Sequence, residues 1–379
     1  MPYHKTTAFF CFSRLFKMLL AVVLVSCFLE SAGQPPAGYY TQAENLCGNN
    51  LKNALHNIIR NHNTVSYSSL WEHFQLTDKR TDNGKVWDIY SDNPGGTTGY
   101  YYTFGADQCG SYSSEGDCYN REHSVPKSWF GGSVKPMYTD LFHLYPTDGF
   151  VNAKRSNLPF GTVGSATWTS SNGSKTGICS YEGYNDLVFE PVDSFKGDLA
   201  RTVFYMAVCY QDRNLAVETQ SMFAYSNGVC AIKPWARKML LEWCALDPVS
   251  TKEIDRNNAV YQIQRNRNPF IDFPDLADKV FGNDTNSLFT TGVETRETPA
   301  SWLVFPNPTT GTIKIHDATY RQHDNVKVAV LDVFGNTVVA PKVFTGVDFS
   351  VVLPESASGV YFLRIFSDNE TVVTKILKQ

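Results

Sequence analysis

The sequence predicts an α+β protein, in which a mixed helical and β domain is followed by a small all-β sandwich. Apolar residues recur at helical spacing in the first two thirds of the chain, and β-branched and aromatic runs lie between Gly- and Pro-containing turns. Past Thr290 the pattern changes to short alternating strands. A composition of 42% hydrophobic and 18% charged residues excludes a disordered polyelectrolyte and a multi-span membrane protein.

The periodic segments define the elements of the first domain. Leu51, Leu55 and Ile58 predict one or two helices over 46–75. Two further helices are predicted, one capped by Asp198 and running through Tyr210, the other from Trp235 to Trp243. The runs 86–90 and 101–104 predict strands on either side of an Asn-Pro-Gly-Gly turn at 93–96.

The C-terminal part reads as a sandwich of about 80 residues because apolar and polar residues alternate in short runs between turn residues. Its predicted strands span 312–316, 326–334, 349–353, 359–365 and 371–377. The domain boundaries predicted from these patterns are 40–285 for the first domain, 286–298 for a linker and 299–379 for the sandwich.

The N-terminus has the features of an export signal. Lys5, Arg14 and Lys17 precede twelve uncharged, mostly apolar residues from Met18 to Leu29, too few to span a bilayer. Residues 1–33 are therefore predicted to be a signal peptide, and no stable membrane span is expected. Lipidation at Cys27 is the alternative, since the residues before it resemble a lipoprotein box.

Seven of the nine cysteines lie beyond this signal, and an oxidising compartment favours disulfides among them. An odd number leaves at least one thiol unpaired or paired between chains. Cys109 and Cys118 are the easiest local pair, but the sequence does not fix the connectivity.

The densest chemistry lies between Arg121 and Gly161. Glu122 and His123 stand just before Pro126, and Asn152 follows in a segment that can begin a helix. A hairpin followed by a helix would bring these three polar groups together, provided that the strand ends or bends at Glu122, since neighbours in a regular strand face opposite ways. Hydrolysis of a phosphodiester needs a base, a cation on the scissile phosphate and positive charge on nearby phosphates.

This stretch, REHSVPKSWF, resembles the E-H-x-x-P-x-S/A-W signature of the secreted endonuclease I family, whose site is the ββα-metal motif shared with HNH-like nucleases. Further resemblances are DLFHLYPTDGFVNAKRSN, FKGDLARTVFYMAVCYQ and DPVSTKEIDRNNAVYQIQRNRNPFID, in the family's order over roughly 45–280. The resemblance implies a metal-dependent endonuclease of low sequence preference that leaves 5′-phosphates. His123 would be the general base, and Glu122 and Asn152 would bind Mg²⁺, with Mn²⁺ or Ca²⁺ as alternatives.

Other residues of the motifs are candidate substrate contacts. Arg155 lies three residues after Asn152, hence on the same helical face, and is predicted either to clamp the scissile phosphate or to pair with a core carboxylate. His143 is either a core imidazole or a substrate-binding residue. The candidate phosphate contacts are Lys127, Lys154 and Arg267. Many relatives have His at the position of Phe142 and Gly at that of Arg265.

The C-terminal sandwich carries a second resemblance. PNPTTG, the VAVLDVFGNTVV hairpin, GVYFLRI and ETVVTKILKQ resemble a type IX secretion sorting domain of Bacteroidetes, which implies the type IX machinery as a partner and places catalysis upstream. The protein is therefore expected to be a secreted or cell-surface monomer whose substrate is nucleic acid, either DNA or RNA.

Two other functions compete with this prediction. The middle segment, residues 34–300, carries a net charge of −6, which suits a non-catalytic surface module that binds glycan or protein better than it suits nucleic-acid capture. The ordered Glu, His and Asn disfavour such a module, which has no need of a base beside a carboxylate. A zinc hydrolase is disfavoured by the absence of paired His or Cys at ligand spacing.

Overall fold

The computed structural model describes residues 34–94, 98–291, 302–317, 323–333, 335–353, 358–367 and 370–379. The predicted signal peptide and most of the predicted linker lie outside these residues. The chain divides into two compact units, 1–292 and 293–379. No helix among the described residues is long and apolar enough to cross a membrane.

The first unit contains the predicted mixture of helices and short strands. Its helices are α1 (Gly48–Ile59), α2 (Leu70–Thr77), α3 (Gly149–Arg155), α4 (Lys196–Cys209), α5 (Pro234–Leu246), α6 (Thr251–Gln264), α7 (Pro269–Asp272) and α8 (Leu276–Phe281). Its strands are β1 (Tyr119–His123), β2 (Leu144–Asp148), β3 (Val163–Thr169), β4 (Lys175–Cys179), β5 (Leu187–Glu190), β6 (Phe223–Ser226) and β7 (Val229–Ile232). The helices predicted over 46–75 and around 235–243 are confirmed as α1, α2 and α5.

Helix α4 forms the centre of the hydrophobic core, and every one of its residues is buried. Its run of apolar side chains packs against α1 and α5. The predicted cap by Asp198 is wrong, because the helix begins two residues earlier and Phe195 occupies the cap position. Asp198 lies in the first turn, where its carboxylate is 3.3 Å from Nζ of Lys252.

The predicted hairpin and following helix are present as β1, β2 and α3. Strands β1 and β2 pair antiparallel, with Glu122 opposite Tyr145 and His123 opposite Leu144. Helix α3 begins directly after β2 because Oδ1 of Asp148 accepts the N–H groups of Phe150 and Val151. The strand, the turn and the helix therefore form one continuous unit.

The strands predicted at 86–90 and 101–104 do not form. The N–H of Val86 donates to the carbonyl of Tyr102, but no ladder follows from this bond. The buried carboxylate of Asp88 accepts the N–H groups of Tyr90 and Ser91, so these backbone donors are used locally. Residues 95 and 96 of the predicted turn lie outside the described part of the chain.

The disulfide predicted between Cys109 and Cys118 is confirmed, with Cα atoms 5.7 Å apart. It closes the loop that leads into β1, which begins at Tyr119. The other cysteines of the described chain are free, namely Cys47, Cys179, Cys209, Cys230 and Cys244.

The second unit is the predicted sandwich. Its strands are β8 (Trp302–Phe305), β9 (Thr312–Asp317), β10 (His323–Leu331), β11 (Thr337–Gly346), β12 (Asp348–Val352), β13 (Gly359–Ser367) and β14 (Glu370–Lys378). One sheet has the order β11-β10-β13-β14 and the other β12-β9-β8, and their facing side chains form a separate apolar core. Alternation did not predict β8, and β10 ends at Leu331, before Phe334, because the Asp332 carboxylate accepts the N–H of Asn336 in a turn.

A buried ion pair connects α6 to the chain that follows α2. Nε of Arg256 lies 2.8 Å from Oδ1 of Asp78, and its Nη2 donates to the carbonyls of Leu141 and Leu144, just before and at the start of β2. The guanidinium also lies over the ring of Tyr145, 4.1 Å from its centroid. This pair therefore helps to hold the hairpin against α6.

The variant Asp78→Ala should have a free energy of unfolding of the first unit that is about 3–5 kcal/mol lower than that of the wild type, since the substitution leaves the Arg256 charge buried and unpaired. Urea unfolding followed by tryptophan fluorescence measures this loss. The matched control is Asp212→Ala, which breaks the half-exposed pair with Arg60 and should cost no more than about 1 kcal/mol. Equal losses in the two variants would contradict the assignment of the buried pair.

Candidate active site

A cleft lies where the end of β1 meets α3. Its floor and walls come from the β1 strand, the short 3-10 helix Lys127–Phe130 and helix α3. The lining side chains are Tyr67, Asn120, Arg121, Glu122, His123, Pro126, Lys127, Ser128, Asn152, Arg155, Ser156 and Asn157. The residues predicted as base and metal ligands, Glu122, His123 and Asn152, are thus brought to one cleft.

His123 is held in a defined orientation. Its Nε2 lies 3.0 Å from the carbonyl oxygen of Tyr138, and because a carbonyl can only accept, Nε2 carries the proton. The neutral ring then has Nδ1 as its proton acceptor. Burial, with the nearby ring of His143 as the next cause, lowers the pKa of His123 to about 3, so the imidazole is neutral at pH 7.

Glu122 is buried beside this imidazole and paired with Arg155. Its Oε1 accepts the hydroxyl of Tyr90 at 2.8 Å and lies 3.0 Å from Nη1 of Arg155. Burial raises the pKa of Glu122, and the Arg155 charge and the Tyr90 hydrogen bond oppose this by stabilising the carboxylate. The guanidinium thus compensates a charge that would otherwise be costly to bury.

Arg155 takes the second of its two predicted roles. Its side chain is 1% exposed, and besides Glu122 it donates to the carbonyls of His123 at 3.1 Å and Ser124 at 2.5 Å. The ion pair with a core carboxylate is confirmed, and the clamp on the scissile phosphate is not supported because the guanidinium is occupied by the protein. Strand β1 ends at His123, so Glu122 and His123 can both line the cleft although neighbours in a regular strand face opposite ways.

Asn152 lies on α3 at the edge of the cleft and is half-buried. Its Nδ2 is 3.5 Å from the carbonyl of Arg121 on β1. If the amide nitrogen faces the strand, the oxygen is the atom left for a cation or substrate. Glu122 and Asn152 thus offer a carboxylate and an amide oxygen, the hard donors that Mg²⁺ prefers.

The predicted phosphate contacts differ in their placement. Lys127 is exposed and lines the cleft. Lys154 is exposed on α3, with its Nζ over the rings of Phe150 and Trp168, and is not part of the cleft lining. The prediction for Arg267 is wrong, because its buried guanidinium makes two hydrogen bonds to Asp272.

The prediction that His143 binds substrate is also wrong. His143 precedes β2 rather than lying within it, is completely buried, and its Nε2 lies 2.5 Å from the carbonyl of Met137. Its ring centroid is 5.5 Å from that of His123. A substrate cannot reach it, and its influence on the site passes through the base.

Two departures from the family pattern have structural explanations. Phe142 is buried with its ring 4.6 Å from that of Tyr205, so an apolar side chain fits where relatives have His. Arg265 follows the last residue of α6 with φ of +65°, the left-handed conformation that glycine adopts most readily. The chain therefore keeps the helix ending without the glycine.

Sequence reasoning missed the aromatic residues beside the base. Tyr138 stacks against His123 with ring centroids 5.2 Å apart, and Tyr67 stacks on Tyr138 at 4.6 Å. Arg121 was read only as part of the motif, yet it lines the cleft. Tyr67 lies outside every motif, and Tyr138 has no pattern of its own, so no sequence signal marked either one.

A second group of ligand-type side chains lies in the core. Ligand atoms of His62, Asp140 and Cys209 fall within 4.8 Å of one another. Oδ2 of Asp140 already accepts the hydroxyls of Tyr205 and Tyr210, each at 2.7 Å. Oδ1 of Asp140 accepts the N–H of Phe142 and the side-chain amide of Gln264, so both carboxylate oxygens are engaged within the core. Glu122 and Asn152 line the cleft and therefore fit an accessible metal better.

Comparison with curated proteins gives several relatives. Two are named extracellular ribonuclease, from Bacillus amyloliquefaciens, 36% identical over 248 residues, and from Bacillus subtilis (strain 168), 35% over 246. Each alignment covers 64% of this chain and 78% of the relative. A protein named endonuclease-1, from Buchnera aphidicola, is 26% identical over 138 residues, covering 36% of this chain and 46% of the relative.

Two family matches divide the chain. Residues 303–379 match the secretion system C-terminal sorting domain, and together with the extracellular relatives this places the protein in the medium or on the cell surface. Residues 47–275, which contain the cleft, match endonuclease I. The chain is therefore a member of the endonuclease I family with a C-terminal secretion sorting domain.

Proposed function

We propose that the protein is a secreted endonuclease in which His123 activates water and Glu122 with Asn152 holds a divalent cation, to hydrolyse phosphodiester bonds with low sequence preference. The observation that carries the proposal is the placement of a neutral imidazole, a carboxylate and an amide along one cleft. A glycan- or protein-binding module has no use for this combination.

His123 fits the task of general base. Its Nε2–H is fixed on the Tyr138 carbonyl, so Nδ1 is the nitrogen that takes the proton from water. The ring is stacked on Tyr138 and cannot turn freely. Because its position is set before substrate arrives, no reorganisation is needed at the moment of proton transfer.

Glu122 and Asn152 fit a hard divalent cation such as Mg²⁺, which binds through few protein groups and keeps several waters. A cation bound there would stabilise the charge that develops on the phosphoryl group and on the leaving 3′-oxygen. Arg155 opposes the rise in the pKa of Glu122 that burial causes and holds its carboxylate in a fixed direction, and the protein thus contributes fixed ligands. Departure of the 3′-oxygen leaves a 3′-hydroxyl on the upstream fragment and keeps the phosphate on the 5′-oxygen of the downstream fragment.

We extend the proposal to both RNA and DNA as substrates. The groups named above act on the phosphate and need not contact the sugar. The two relatives named extracellular ribonuclease support a substrate class that includes RNA. Lys127, exposed at the cleft, is a candidate contact to a neighbouring phosphate, and Lys154 on α3 is a weaker one.

The proposed organisation follows the predicted boundaries. Residues 1–33 would direct export, 40–285 would form the catalytic domain, 286–298 the linker, and 299–379 would engage the type IX secretion machinery. The enzyme is proposed to act as a monomer, because all the groups invoked come from one chain.

The variant His123→Ala should nick supercoiled plasmid about 10²- to 10⁴-fold more slowly than the wild type, since it lacks the base. Its thermal unfolding should be close to that of the wild type. His73→Ala, which removes a half-buried imidazole of α2 outside the cleft, serves as the control and should nick normally. Nicking by His123→Ala at the wild-type rate would remove the imidazole from the mechanism.

EDTA should stop nicking, and added Mg²⁺ should restore it. Glu122→Gln and Asn152→Ala should each raise the Mg²⁺ concentration for half-maximal rate by at least about tenfold. Loss of a residue that only hydrogen-bonds to a metal ligand already costs about tenfold or more, so loss of a ligand should cost at least as much. Titration of the nicking rate with Mg²⁺ measures this. Activity that persists undiminished in EDTA would refute the metal, and unchanged titrations would refute the ligands.

Supercoiled plasmid, single-stranded DNA and total RNA should all be degraded by the same enzyme preparation, and all three reactions should stop in EDTA. A site that acts on the phosphate tolerates either sugar, so the three rates should fall together in His123→Ala. If the 5′ ends of the products accept a labelled phosphate only after phosphatase treatment, the products carry a 5′-phosphate. Degradation of only one substrate would show that the sugar is recognised.

A further inference from the structure

A stack of planar groups includes two residues of the cleft lining, Arg121 and Tyr67. We refer to Trp71, Arg121, Tyr67 and Tyr138 as the aromatic column. The guanidinium carbon of Arg121 is 4.3 Å from the ring centroid of Trp71 and 3.8 Å from that of Tyr67. Tyr67 in turn stacks on Tyr138 with an interplanar angle of 22°. The column ends beside the base, because Tyr138 stacks on His123.

Arg121 differs from the other arginines around the site because no carboxylate neutralises it. Arg155 and Arg256 pair with Glu122 and Asp78, whereas none of the ion pairs within the described residues includes Arg121. Its Nη1 donates to the carbonyl of Tyr67 at 2.9 Å, and its Nε is buried without a partner. The column therefore holds an uncompensated cation in a fixed position.

The charges of the cleft favour an anion beside this cation. The carboxylate of the cleft, Glu122, is already paired with Arg155. Lys127 adds a second positive charge to the lining. A guanidinium whose two faces are covered by rings can still donate from its edge, and this is the edge that binds phosphate oxygens.

We propose that Arg121 binds a phosphate of the nucleic-acid backbone next to the scissile one, a role that rests on the endonuclease function proposed above. The Arg121 guanidinium and the Tyr138 ring both lie over the Tyr67 ring, and both are too close to it to share one face. Tyr67 therefore lies between Arg121 and Tyr138. The imidazole is nearer to Tyr138 than to Tyr67, at 5.2 Å against 6.1 Å. Arg121 therefore reaches a different phosphate from the one that His123 serves.

The test compares a polymer with a substrate that has one phosphate. Arg121→Met keeps an unbranched side chain between the two rings but removes the charge, and Arg121→Lys restores the charge without the planar group. The control is Arg237→Ala, which removes an exposed cation of α5 outside the cleft. Steady-state kinetics are measured on a single-stranded oligonucleotide and on bis(p-nitrophenyl) phosphate, with the full chain.

Arg121→Met should raise KM for the oligonucleotide about tenfold, the effect of losing one charge-assisted hydrogen bond, with a much smaller change in kcat. The rise should be at least about fivefold greater than on the single diester, which has no second phosphate. The slope of log KM against log salt should fall by about 0.7, and Arg121→Lys should recover this slope. Arg237→Ala should match the wild type on both substrates.

Two results would overturn the proposal. Equal losses on the oligonucleotide and the diester would show that Arg121 only helps to position His123, and kinetics identical to Arg237→Ala would show no contact with substrate. Binding of the oligonucleotide in EDTA, followed by fluorescence anisotropy, keeps the test separate from catalysis. If His123→Ala were fully active, the catalytic proposal would fail, whereas weaker binding and a smaller salt slope in Arg121→Met would still support the phosphate contact.

Discussion

The arrangement of the site depends on the buried ion pair between Arg155 and Glu122. The guanidinium joins the last turn of α3 to the end of β1, since it also donates to the carbonyls of His123 and Ser124. A buried ion pair gains little net stability over an apolar replacement, because both ions lose their hydration. Its contribution here is geometric, as it fixes the carboxylate and the base on one strand relative to the helix that carries Asn152.

Burial of the base is the second constraint. Tyr138 provides both the carbonyl that fixes the imidazole tautomer and the ring on which the imidazole stacks. His143 behind it adds to the burial that lowers the pKa of His123. The imidazole of His123 is therefore neutral, oriented and largely shielded from bulk water, as its proposed role requires.

The sequence predicted the hairpin and the following helix, and it predicted that they bring Glu122, His123 and Asn152 together. It could do so because periodicity and motif order are local properties of the chain. It could not predict which way a side chain faces. Arg267 was a candidate phosphate contact, but in the fold its guanidinium binds Asp272. Arg155 had two candidate partners, and the packing of α3 against β1 pairs it with Glu122. The strand predicted at 86–90 failed for a related reason, since the Asp88 carboxylate takes backbone donors that a ladder would need.

The aromatic residues of the cleft bear on the proposed lack of sequence preference. An exposed tyrosine beside a nuclease site would ordinarily be expected to stack on a base. Both faces of Tyr67 are already covered, one by the Arg121 guanidinium and the other by Tyr138, so its ring has no free face to offer. The column therefore uses its aromatic surface to fix a cation and an imidazole, the two groups that are proposed to act on phosphates. A cleft built in this way fits the proposed recognition of the repeating backbone, because Tyr67 has no free face on which a nucleobase could stack.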